Sequence, residues 1–170
     1  MADKSPAIPI PPHGTKGTRM PGEKILMKVF KPLLDQQASR LRRTTSPEPP
    51  NMMGFPVVLL TTVGAKTGQE RTHVLGGFAD GPDAWLIVAS RGGSPAHPGW
   101  FYNICRNPDR VWLQVGNRKL RVAVESLQGE AREKGLAKVA AIAPRYGGYQ
   151  KKTDREIPVL RLTPVDPTAA

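Results

Sequence analysis

The sequence predicts a mainly β (α+β) domain, a small antiparallel barrel of about six short strands with flanking helices. Three observations carry that expectation. Short runs rich in Val, Ile, Leu and Thr recur from Val57 onward, each ending at a turn that holds glycine, proline, asparagine or aspartate. Beyond Val57, helical spacing is confined to residues 100–106 and 130–143. The chain has 170 residues, enough for one sizeable core and short for two.

In chain order, residues 1–22 carry Pro6, Pro9, Pro11, Pro12 and Pro21 with Gly14, Gly17 and Gly22, the composition of a flexible arm outside the core. Residues 23–56 form a basic amphipathic helix and a linker. Ile25, Leu26, Val29, Phe30, Leu33 and Leu34 fall at helical spacing, with Lys24, Lys28 and Lys31 between them. Pro32 is expected to kink or restart this helix. Its apolar stripe has two destinations. Packing on the domain is the simpler and preferred one; peripheral contact of residues 24–43 with an anionic membrane is the other. A linker with Pro47, Pro49, Pro50 and Pro56 leads to the barrel domain, residues 57–170.

Residues 57–63, 71–79 and 84–90 read as three strands, joined by turns at 64–69 and at Asp80-Gly81-Pro82-Asp83. After a loop, residues 100–106 read as a helix that stops before Pro108. Residues 111–115 and 119–125 form a hairpin over Gly116-Asn117-Arg118, and residues 130–143 a helix. A loop with Tyr146 and Tyr149 then leads to a last strand, 157–163.

The chemistry concentrates at the first hairpin. Lys66, Thr67 and Arg71 crowd a glycine-punctuated tip, where cations, hydroxyls and backbone N–H groups suit a phosphate or carboxylate. The tip fails the pattern of a P-loop, because a strand and not a helix follows it. Ser90-Arg91-Gly92-Gly93 supplies a second cation beside a flexible backbone, and both loops end neighbouring strands. His73, on the strand after the tip, lines the same cleft. Trp100 starts a helix, where an indole borders a flat ring, while Phe101 reads as core; Asn103 either bonds a ring edge or caps local backbone. His73 and His97 lack partners at metal-binding spacing, and no nucleophile elbow or dinucleotide-binding fingerprint is present. Hydride transfer from a bound organic cofactor fits such a chain, since it asks the protein for orientation and charge placement.

Twenty-five basic and fourteen acidic residues give a net charge of +11, spread over the chain. Nucleic acid is disfavoured as a partner, because no helix-turn-helix, zinc-finger or RNA-binding signature accompanies the charge. The single Cys105 reads as a buried structural thiol and fits a reducing cytoplasm, as does the lack of an apolar leader.

The wording of residues 59–71, then Ala89-Ser90-Arg91-Gly92-Gly93, Pro98-Gly99-Trp100-Phe101-Tyr102-Asn103, Asn107-Pro108 and residues 146–158, resembles in that order the deazaflavin (F420)-dependent nitroreductase family. The resemblance runs from about Val58 to Leu162. It implies a split β-barrel with coenzyme F420 in a groove beside it. Lys66, Thr67, Arg71, Ser90, Arg91, Gly92 and Gly93 would hold the cofactor's phosphate and oligoglutamate tail, with His73, Trp100 and Asn103 bordering the groove. Tyr146 and Tyr149 would face the substrate, Tyr146 foremost. The implied activity is hydride transfer from F420H2 to a quinone, activated enone or nitro compound, a small-molecule electron acceptor. A non-catalytic carrier of F420, or of FMN or haem, is the alternative, and the chain would be a monomer or homodimer. Arg91 stands where many relatives have lysine, and Ala143 where some nitroimidazole-activating relatives have a tyrosine.

Overall fold

A computed structural model describes residues 8–52 and 54–165. Its elements are α1 (Glu23–Arg42), β1 (Asn51–Met52), β2 (Phe55–Val63), β3 (Glu70–Gly76), β4 (Phe78–Asp80), β5 (Ala84–Val88), a single 3-10 turn (Arg91–Gly93), α2 (Gly99–Arg106), β6 (Trp112–Val115), β7 (Arg118–Ser126), α3 (Gly129–Ile142), α4 (Arg145–Lys152) and β8 (Val159–Pro164). The antiparallel barrel expected from the strand runs is present, curled and open on one side, with helices around it. It has eight strands, because a short β1 folds back on β2 and the run from residue 71 to 79 is broken in two.

The break lets one segment bridge the two edges of the sheet. β3 stays with β2 from Glu70 opposite Val63 to Gly76 opposite Val57, whereas β4 pairs with β5. Between β2 and β5 the order is β6, β7, β8, so one chain segment touches both edges of a five-strand sheet. Gly77 permits the crossing. A Cβ there would lie 2.5 Å from Val58 Cγ1, inside contact distance.

Burial on both faces explains why β2 is apolar from Phe55 to Leu60, while the buried Thr61 and Thr62 hydroxyls are bonded to Thr72 and Asn103. Val58 and Leu60 point into the barrel with Ile87, Phe101, Leu113, Leu160 and Leu162, whereas Phe55 and Val57 face Phe78, Val88, Val139 and Val159 beneath α3 and α4. Cys105 lies in the barrel core, where burial pushes its thiol up to about 11; it is an inert packing group.

Four features differ from the sequence reading. α1 runs unbroken through Pro32, because the bond lost to the carbonyl of Lys28 lies on an exposed turn where water replaces it. The apolar stripe of α1 does not pack on the domain: Ile25, Val29, Phe30 and Leu33 are exposed, Ile25 at 72%. Its last turns dock, with Ala38 buried and Gln114 Nε2 donating to the Leu41 carbonyl at 3.1 Å, and at its start Glu23 meets Arg91. Residues 145–152 form a helix and not a loop. Pro144 suits a helix start. Gln150 anchors the last turns, accepting from Arg132 at 2.6 Å and from the Ile157 N–H at 3.0 Å.

The described part of the arm, finally, lies against the barrel and is not loose. Ile8 joins the core, and the N–H groups of Gly14 and Thr18 donate to the Pro95 and Gly93 carbonyls, each at 2.9 Å. The Asp154 carboxylate accepts from the N–H groups of Thr15 at 2.8 Å and Lys16 at 2.9 Å, and from the Thr15 hydroxyl. The Thr15 hydroxyl, then the Lys16 N–H, hold this carboxyl down at about 2. A depressed folded-state value means that the clamp is complete above the ordinary carboxylate range and is lost as pH falls toward about 2. Replacing Asp154 with Asn should therefore loosen the arm at neutral pH. Limited trypsin digestion should cut after Lys16 and Arg19 faster than in the parent protein, and equal rates would show that the clamp does not hold the arm.

Candidate functional site

Four successive antiparallel pairings separate β2 from β5, so the two strands run the same way and end at the same rim of the barrel. The hairpin tip at residues 64–69 follows β2, and the 3-10 turn follows β5. The two loops expected to share a ligand thus stand at one end of the fold.

The tip is rigid. The Gly64 N–H donates to the Gln69 carbonyl at 2.7 Å, and Gly68, at φ 69°, returns an N–H to the Gly64 carbonyl at 2.9 Å. Thr67 Oγ1 accepts from the Gln69 N–H at 3.3 Å, which is an internal brace. From α2, Asn103 accepts the Ala65 N–H at 3.0 Å through Oδ1 and donates to Thr62 Oγ1 at 3.1 Å through Nδ2. Asn103 therefore ties α2 to the tip. Lys66 is exposed, and neither Lys66 nor Arg71 forms an ion pair among the described residues. Arg71 only donates to Gln69 Oε1, at 3.3 Å. His73 is exposed two residues along β3, on the same side as Arg71.

The turn after β5 is built on left-handed backbone, with φ 43° at Arg91, 63° at Gly92 and 83° at Gly93. Ser90 is buried. Beneath it lies a residue that the sequence reading did not single out. Arg155 is 2% exposed and donates to the carbonyls of Ser94 at 2.7 Å, Ser90 at 2.8 Å and Ala89 at 3.1 Å. Its Nη1 also donates to His97 Nδ1 at 3.1 Å, which leaves the proton on Nε2, facing the Pro11 carbonyl at 2.8 Å. Desolvation brings the guanidinium down to about 10, Tyr102 opposing and Arg91 reinforcing the shift, so it stays charged at neutral pH. Arg155 falls within the resembling segment at 146–158, but its burial under the turn leaves no pattern in the sequence. Arg91 itself is engaged: its Nη2 lies 2.7 Å and its Nε 3.2 Å from Glu23 Oε1.

Tyr146 and Tyr149 lie one turn apart on α4, their rings edge-to-face at 5.4 Å. Tyr146 also packs edge-on against Phe55 at 5.7 Å and Phe78 at 5.4 Å. Its hydroxyl abuts the backbone of Gly76, where a Cβ would stand 2.6 Å away. Burial first, then Tyr149, push this phenol up to about 12, so it keeps its proton. At the other end of α4, Tyr149 and Lys152 border Gly93. α4 therefore links the tyrosine pair to the cationic turn. Trp100 does not join this groove. It is 8% exposed and packs in the barrel core with Ile104 and Leu113.

Known proteins resemble this chain in sequence and in fold. The model of the F420H(2)-dependent quinone reductase family matches residues 33–164. An F420H(2)-dependent quinone reductase of Mycobacterium tuberculosis is 44% identical over 113 residues, covering 64% of this chain and 73% of that protein. Among solved structures, an F420-H2 dependent reductase, FDR-A, superimposes with a TM-score of 0.58 at 38% identity, covering 66% of this chain and 98% of that one. A protein described as a domain-swapped dimer gives a TM-score of 0.60 at 33% identity, covering 79% and 98%. The chain belongs to the F420H(2)-dependent quinone reductase family.

Proposed function

We propose that this chain is an F420H2-dependent quinone reductase whose cofactor groove is bounded by the hairpin tip, the Arg91–Gly93 turn and α4. The observation that carries the site assignment is the pair of cations, Lys66 and Arg71, held without a carboxylate partner on a tip that Asn103 fixes. A phosphate and an oligoglutamate tail suit those donors. Gly92, with open space beside its Cα, leaves its backbone open to close approach, and Arg91 adds a bidentate donor. When bound, F420H2 supplies the hydride.

Reduction of a quinone to a hydroquinone also consumes a proton and places negative charge on oxygen. On this reading the Tyr146 hydroxyl, protonated through the neutral range, is the proton donor, and water restores its proton. Phe55, Phe78 and Tyr149 hold its ring in one orientation. The exposed apolar face of α1, with Lys24, Lys28 and Lys31 beside it, suits the surface of an anionic bilayer, where hydrophobic quinones dissolve. No helix among the described residues is long and apolar enough to cross a membrane, so such contact is peripheral.

Lys66→Ala should weaken F420 binding by ~1.5–3 kcal/mol if the lysine makes a charge-assisted hydrogen bond. Affinity of the parent protein should fall with salt, and FMN should bind far more weakly. Titration of cofactor fluorescence checks all of this, and unchanged affinity in the variant would remove the tip from the site. Tyr146→Phe keeps the packing and deletes the hydroxyl, so quinone turnover should drop roughly 10²-fold with F420 affinity unchanged. Because the phenol stays protonated, the drop should be the same at neutral and mildly alkaline pH; parental turnover would reduce Tyr146 to a wall. For α1, the protein should sediment with anionic vesicles at low salt, and a variant with Ile25→Glu and Phe30→Glu should remain in the supernatant. Absence of parental sedimentation would sink the membrane reading.

A further inference from the structure

Of Lys66, Arg71 and Arg91, Arg91 alone forms an ion pair among the described residues. Its guanidinium presents Nη2 at 2.7 Å and Nε at 3.2 Å to one oxygen of Glu23, a forked approach of the kind that a carboxylate or phosphate ligand takes. Among the described residues this is the one ion pair joining α1 to the rest of the domain. Glu23 is the first residue of α1 and precedes the stretch matched by the family model, whereas Arg91 lies within it. Arg91 cannot withdraw to a second position through its backbone, since the turn is fixed by Arg155 from below and by the Gly93 carbonyl bound to Thr18.

We infer that Glu23 is an internal competitor for the cofactor's acidic tail, occupying Arg91 until an anionic group of F420 displaces it. The inference rests on the placement of Arg91 in the cofactor groove. It makes Glu23 a residue that lowers cofactor affinity, the opposite of what an ion pair that merely braces the site would do. Both partners are more than a third exposed, at 37% and 39%, so the competition is mild and reversible. Displacement swings only the Glu23 side chain, because the chain on either side of α1 is tied down at Thr18 and Leu41.

Fluorescence titration of F420 into the full chain and into Glu23→Gln, Arg91→Ala and the double variant tests this. Glu23→Gln should bind about two- to five-fold more tightly, and the gain should vanish when Arg91 is already alanine. Weaker or equal binding in Glu23→Gln, with Arg91→Ala weakened, would overturn the competition and leave the groove standing. A gain that persists without Arg91 would also overturn it, since Glu23 would then act by general charge. If Arg91→Ala binds like the parent, the placement of Arg91 fails and this inference falls with it. If the parent does not bind F420, the proposed function itself fails.

Discussion

Two glycines without room for a side chain hold this structure together. At Gly77 the chain crosses over Val58 and passes from β2 to β5, and this crossing brings the two edges of the sheet together. At Gly76, one residue earlier, the missing Cβ leaves space for the Tyr146 hydroxyl, with Phe55 and Phe78 each 3.1 Å from where that Cβ would be. The crossing between the sheet's edges and the placement of the Tyr146 phenol thus both depend on the missing side chains of two adjacent glycines. Overpacking at either position typically costs about 1–3 kcal/mol, and here the shift would reach fold and site together.

Charge is distributed by the same economy. Arg161 and Lys138 share Asp80 at 2.7 and 2.8 Å, and Arg132 lies 2.6 Å from Glu133. Through Asp80 the first two pairs tie Lys138 of α3 to β4 and β8 on the outside of the sheet, whereas the third lies within α3. Among the described residues Lys66 and Arg71 form no ion pair, and the buried charge of Arg155 is satisfied by carbonyls and an imidazole. A cation held by dipoles and not by a carboxylate keeps its field.

The strands, α2, α3 and the hairpin tip were legible because local pattern and tertiary environment agree there. β2 alternates between two apolar faces, and Asn103 sits one turn into a helix that abuts the tip. Where the two disagree, reading failed. Gly147 and Gly148 argue against a helix, yet Gln150 and Arg132 hold one. The prolines of the arm argue for a loose strand, yet Asp154, Pro95 and Gly93 receive it. Trp100 looks like a groove residue from its position at a helix start, but the helix turns it inward. The seven large apolar side chains of α1 left in solvent, Ile25 to Leu34, could not be told from a packed stripe by spacing alone.

The position of β8 has a consequence for how the chain is made. It is the last described strand in sequence, yet it lies between β7 and β5, pairing with both. Until Val159–Pro164 leaves the ribosome, β2, β3, β6 and β7 on one side and β4 with β5 on the other are two half-sheets with open edges. Such edges are templates for pairing with another chain. Synthesis therefore cannot settle this domain gradually. The nascent chain must stay unfolded or shielded until its last residues arrive, and a ribosome stall shortly before them would release an aggregation-prone fragment.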